Sequence, residues 1–162
     1  MLLSPDRSLR SQGIDDKGAS SIAKGLAVTS SLTTLILWDN KIGKEGGIAI
    51  AKALEHNAMP TNLSLAHNGL GVEAGKLLAK ALVNNGQLNS LDISFNNLTE
   101  ALPTELGKLD ALTHLYLNDN LPGLGGQDRV PGQPRLAIPE SLGNLTNLRV
   151  FQLNNNSLKG EL

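Results

Sequence analysis

Cysteine is absent from the 162-residue chain. That excludes disulfides and thiolate metal sites and fits a reducing compartment. Aromatic residues are nearly absent too: Trp38, Phe95, Tyr116 and Phe151 make up the whole 2%. A core of this size must then be assembled from aliphatic side chains in many small, equivalent contacts. Neither charge sign dominates, with 14 Lys and Arg against 15 Asp and Glu, so the basic footprint of a nucleic-acid binder is missing. No apolar run approaches the roughly 20 residues of a membrane span. The opening MLLSPDRSLR turns polar after two leucines, unlike the apolar stretch of a secretory signal. The expectation is a cytoplasmic, intracellular protein with neither nucleic-acid partner nor membrane insertion, folded as one domain.

What the chain does have is repetition. Leu32 to Asn40 reads LTTLILWDN. Leu35 and Leu37 alternate with Thr34, Ile36 and Trp38, the period of a short strand with one buried face. Asn40 closes the strand with a side chain that both donates and accepts hydrogen bonds. The phrase returns at Asn68, Asn96, Asn120 and Asn156, at spacings of 28, 28, 24 and 36 residues. Apolar residues stand three and five positions before each asparagine: Leu37 and Leu35, Leu65 and Leu63, Ile93 and Leu91, Leu117 and Leu115, Leu153 and Phe151. Eight before stand Leu32, Pro60, Leu88, Leu112 and Leu148; Pro60 breaks the series, and Met59 beside it is expected to fill the gap. A worn first copy ends at Gln12, with Leu9 and Ile14 in register and Arg7 and Ser4 at positions expected to be apolar.

Over essentially its whole length the chain resembles the leucine-rich repeat family, on the strength of these five successive matches. The segments IDDKGASSIAKGL, IGKEGGIAIAKAL and LGVEAGKLLAKAL align without a gap. Their apolar residues (Ile22, Ala23 and Leu26; Ile50, Ala51 and Leu54; Leu78, Ala79 and Leu82) fall on one face of a helix. This 28-residue unit looks like the ribonuclease-inhibitor class of repeat. That resemblance implies a cytosolic protein and brings in Ran GTPase-activating protein as a relative of the class. From Asn96 the unit shortens to 24 residues, and Pro103 and Pro139 leave room only for short turns or 3₁₀ segments. This half resembles the plant-type repeat.

The expected fold is therefore an α/β leucine-rich repeat solenoid. A parallel sheet lines the concave side, helices cover the convex side first, and 3₁₀ or irregular turns cover it later. Residues 1–162 are read as a single domain, 1–96 in long repeats and 97–162 in short ones. A Gly- and Pro-rich insertion over 121–138 is read as a projecting loop. The final SLKGEL opens a further turn and is followed by no polar cap. A larger chain, or a neighbouring one in a complex, is expected there.

Function is expected on the solvent side of the strands, at the residues six, four, two and one before each asparagine. Three of the four aromatics stand in that set. The expectation is a non-enzymatic module that holds a protein partner on the concave face, with Trp38, Asp39, His67, Asp92, Tyr116 and Asp119 as contacts. Exposed aromatics anchor interfaces, and the carboxylates favour a partner bearing Lys or Arg. Phe95, next to its turn, has two places open to it: outward on the face, or tucked between repeats. Asn40, Asn68, Asn96, Asn120 and Asn156 are read as a structural ladder that satisfies turning backbone. His67 and His114 fall at opposite ends of strands two repeats apart, so no metal site and no cofactor are expected. The sequons at Asn62, Asn97, Asn144 and Asn155 follow from the repeat pattern itself. Two alternatives remain. One is a scaffold subunit using the 121–138 loop and the open C-terminal end; the other is a small-GTPase regulator, for which no matching Arg is found.

Overall fold

The computed structural model describes residues 6–56, 60–99, 102–120 and 137–156. Six three-residue strands form one parallel sheet in chain order: β1 (Asp6–Ser8), β2 (Thr34–Ile36), β3 (Asn62–Ser64), β4 (Ser90–Asp92), β5 (His114–Tyr116) and β6 (Val150–Gln152). Their register follows the sequence repeat without a slip: Leu35 pairs with Leu63, Leu63 with Leu91, Leu91 with Leu115 and Leu115 with Phe151. A one-residue slip would turn every buried leucine to solvent, so the leucine pattern itself sets the register.

Three helices follow the first three strands: α1 (Asp16–Leu26), α2 (Lys44–Glu55) and α3 (Gly71–Leu82). Ala23 and Leu26, Ile50, Ala51 and Leu54, and Leu78, Ala79 and Leu82 are buried, with Ile22 half-buried beside them. The helices pack against each other through small residues. A methyl group on Gly46 would meet Ala19 at 2.8 Å, and one on Gly47 would meet Leu70 at 2.7 Å. After β4 and β5 the helices among the described residues are 3₁₀ turns, Thr104–Lys108 and Glu140–Asn144. Each begins directly after Pro103 or Pro139, whose extended backbone starts the turn. Change of repeat length at Asn96 thus coincides with a change from helix to 3₁₀ turn.

The core is one apolar cluster between sheet and convex layer, built of leucine, isoleucine and alanine and reaching from Ala19 to Leu145. Pro60 is itself buried in the place its neighbours give to leucine. Met59, the expected substitute, lies outside the described residues. At the first repeat Arg7 occupies a leucine position. It lines a cavity of about 340 Å³ with Leu9, Ile22, Leu26, Leu32 and Leu35. Of the 121–138 insertion only Ala137 and Ile138 are described; the Leu102 N–H donates to the Ala137 carbonyl at 3.1 Å. The final SLKGEL likewise lies outside the described residues. None of the described helices is long and apolar enough to cross a membrane.

Candidate functional site

The sheet's solvent face is bounded at the strands' C-terminal ends by the asparagines. Each amide nitrogen donates to a carbonyl of its own repeat and to one of the preceding repeat. Asn68 donates to Leu65 O at 2.9 Å and Leu37 O at 3.0 Å; Asn120 donates to Leu117 O at 2.9 Å and Ile93 O at 3.0 Å. The amide oxygens accept from the preceding repeat's backbone: Asn40 from Gln12 and Ile14, Asn120 from Asn96, Asn156 from Asn120. Asn96, Asn120 and Asn156 are buried, and among the described residues every buried side-chain nitrogen or oxygen has a partner. Sheet and turns are therefore held rigidly beneath the face.

Residues one before each asparagine reach the face by a route that strand alternation does not supply. Two consecutive strand residues cannot both point outward. Ser11, Asp39, His67, Phe95, Asp119 and Asn155 all have left-handed backbone, with φ between 51° and 58°. This twist turns each side chain to the solvent side beside the residue preceding it. Outside glycine the conformation costs about 1–2 kcal/mol, less for Asp and Asn, whose short polar side chains bond locally. Five of the six are polar; Phe95 is the exception.

Over β2 to β4 these positions build a continuous row. Ser11 Oγ donates to Asp39 Oδ2 at 2.6 Å, and His67 Nδ1 lies 3.0 Å from Asp39 Oδ1. A carboxylate only accepts, so this contact places a proton on Nδ1. The His67 ring stands 5.7 Å from Trp38 and 5.5 Å from Phe95, centroid to centroid, at tilted angles. Phe95 is 46% exposed and Trp38 38%. Phe95 therefore takes the outward of its two places. Behind this row, Ser64, Ala66 and Ser94 are buried although they stand at face positions. Small side chains between taller neighbours lose their access to water.

Asp92 lies in that lower ground. Ser94 Oγ makes a short hydrogen bond to its Oδ1, Ser94 N–H donates to the same oxygen at 3.2 Å, and Ser64 Oγ reaches Oδ2 at 3.4 Å. Tyr116 pairs with Asp92 across the strands. Its ring lies 6.3 Å from that of His114, whose Nδ1 is 2.8 Å from Thr113 Oγ1. Beyond Tyr116 the face is an amide network. Asn118 donates to Gln152 at 2.9 Å, Asn154 N–H donates to Asn118 at 3.1 Å, and Asn155 donates to Asp119 at 2.8 Å.

Of the six residues expected as contacts, Trp38, Asp39 and His67 are brought together directly. Asp92 and Tyr116 meet in the middle of the sheet, and Asp119 stands apart with Asn155. Phe95 and Ser11 complete the first group and were not among those six. The signal for Phe95 was its alignment with Asp39 and His67 one position before the asparagine. His67 and His114 belong to separate rows, and among the described residues no three His, Cys, Asp or Glu side chains are grouped to hold a metal. Residues 121–136 of the insertion lie outside the described residues.

No curated protein matches the chain. Known families match it twice, as Leucine Rich Repeat at residues 29–51 and again at residues 87–109. The first match covers the Leu32–Asn40 phrase and runs into α2; the second covers the Leu88–Asn96 phrase and the 3₁₀ turn after it. Domains of this kind engage protein partners. Strands in sequential parallel order, a layer of helices and 3₁₀ turns packed behind them, an asparagine at each turn from Asn40 onward and these two matches support reading the chain as an array of leucine-rich repeats.

Proposed function

We propose that this protein is a non-enzymatic protein–protein interaction module that takes its partner on the concave face of the sheet. The observation that carries the reading is the grouping of Trp38, His67 and Phe95, exposed and in ring contact, on a face whose backbone is tied down by the asparagine ladder. Exposed aromatic side chains on rigid backbone contribute contact area at low ordering cost, which suits them as interface anchors. Trp38, Asp39, His67, Asp92, Tyr116 and Asp119 are the proposed contacts, joined by Phe95. Lack of cysteine supports work in a reducing compartment such as the cytoplasm.

Affinity capture from the native source tests the reading, with wild type compared against Trp38→Ala/Tyr116→Ala. A stoichiometric protein lost in the double variant, with the fold retained by circular dichroism, supports the concave face. A partner that survives the double variant but is lost on deleting residues 123–134 moves the site to the insertion and favours a scaffold subunit.

A further inference from the structure

The chemistry of the ring group points to a more specific occupant, and the inference rests on the interaction-module reading above. Phe95 is out of place by two independent measures. It is a large apolar side chain left 46% exposed, and it holds a left-handed backbone angle of 55° that its five counterparts fill with Ser, Asp, His, Asp and Asn. Strain in a bulky residue together with exposure marks a position retained for something other than packing.

Charge on the face is lopsided. At the face positions Asp6, Asp39, Asp92 and Asp119 stand against the single guanidinium of Arg10, and no lysine is present. Lys24, Lys52 and Lys80 lie on the helical side, and Lys41 follows Asn40 at the turn. Asp39 is held in position by Ser11 and His67, and Asp92, three residues before Phe95, by Ser64 and Ser94. Each still has lone pairs to offer.

We infer that the turn-side edge of the sheet over β2 to β4 receives an arginine-bearing segment of the partner protein, guanidinium planes lying on Trp38 and Phe95 with Asp39 and Asp92 as counter-charges. Flat exposed rings beside anchored carboxylates suit arginine better than lysine. Guanidinium is planar, weakly hydrated, stacks on aromatic faces and bonds carboxylates through a fork, whereas ammonium is a strongly hydrated point charge. An acidic segment would meet repulsion, and a purely apolar one would leave the carboxylates unpaired.

Trp38 is the sole tryptophan, so its fluorescence reports from within the site. The full chain is titrated with blocked tetrapeptides of arginine, lysine and glutamate, and with a neutral leucine–serine tetrapeptide. A saturable change is expected with arginine, about threefold to fivefold weaker binding with lysine, and no saturation with the other two. Phe95→Asn, which keeps a residue tolerant of the left-handed angle, and Asp39→Asn should each weaken arginine binding by a similar factor while retaining the thermal midpoint. Equal affinity for lysine and arginine, preference for the acidic or neutral peptide, or affinity unchanged in both variants overturns the inference. Competition separates it from the broader reading. If a partner is lost in Trp38→Ala/Tyr116→Ala but is not displaced by tetra-arginine, the concave face stands and the arginine site falls. If the partner ignores the double variant, the concave-face reading itself falls.

Discussion

Asp16 Oδ1 accepts a hydrogen bond at 2.8 Å from the backbone N–H of Gly46, a residue 30 positions later in the next helix. The same oxygen accepts from Gly43 at 2.8 Å. Gly43 is the N-cap of α2 and has no side chain to offer, so the helix is capped from the preceding repeat. Unpaired N–H groups at a helix start need such an acceptor. Asp16→Ala is expected to lower stability by about 1–2 kcal/mol, and Asp16→Asn by less, because an amide oxygen still accepts. Urea unfolding of the three proteins checks the order.

Asn120 is fully buried and donates to Ile93 O and Leu117 O while accepting from Asn96 N. Asn120→Ala leaves these groups unpaired in the core, each at about 1–3 kcal/mol. Asn40 is half-buried at the first full repeat, where water replaces part of what is lost. Denaturant unfolding should show Asn120→Ala as the more destabilised by at least about 1 kcal/mol.

Gly107 and Gly143 occupy the same place in the two 3₁₀ turns, yet they should respond differently to a methyl group. A Cβ on Gly107 would run into the backbone oxygen of Ser141 in the following turn, while one on Gly143 meets nothing within 4 Å among the described residues. Backbone on both sides has no rotamer to yield. Gly107→Ala should cost at the upper end of about 1–3 kcal/mol or more, and Gly143→Ala little, as read from their thermal midpoints.

Asp15 caps α1, accepting from Gly18 N–H at 2.9 Å, and that bond holds its carboxyl below the ordinary value of 3.8. A depressed folded value means that the charged cap stabilises the fold above 3.8 and that this contribution fades as pH falls through the lower, folded value. Melting of wild type and Asp15→Asn across pH should show a constant gap in neutral solution that closes in acid. A gap that widens in acid would reverse the sign.

Phe95→Asn should separate binding from stability. Replacing phenylalanine at φ 55° with a residue that tolerates this region relieves about 1 kcal/mol of backbone strain. The ring contact with His67, 5.5 Å centroid to centroid, is lost in exchange. Thermal stability equal to or above wild type is expected, together with weaker partner capture. A large fall in the midpoint would assign Phe95 to packing instead.

Architecture lay almost wholly in the sequence. A leucine two positions from the next, an asparagine three further on and the same phrase every 24 to 36 residues specify strand, buried face, turn and register together, because one slip would expose all the leucines at once. Proline at Pro103 and Pro139 likewise announced the exchange of helices for 3₁₀ turns. Contacts across repeats were beyond it. Asp16 as a cap for α2, the closeness of Gly107 to Ser141 and the ring row through His67 join residues 24 or more positions apart, whose meeting depends on how one turn stacks on the next. The left-handed angle at Asp39, His67 and Phe95 was also a tertiary outcome. The chain bends there as it leaves the strand, and that bend, rather than strand alternation, turns these side chains onto the face.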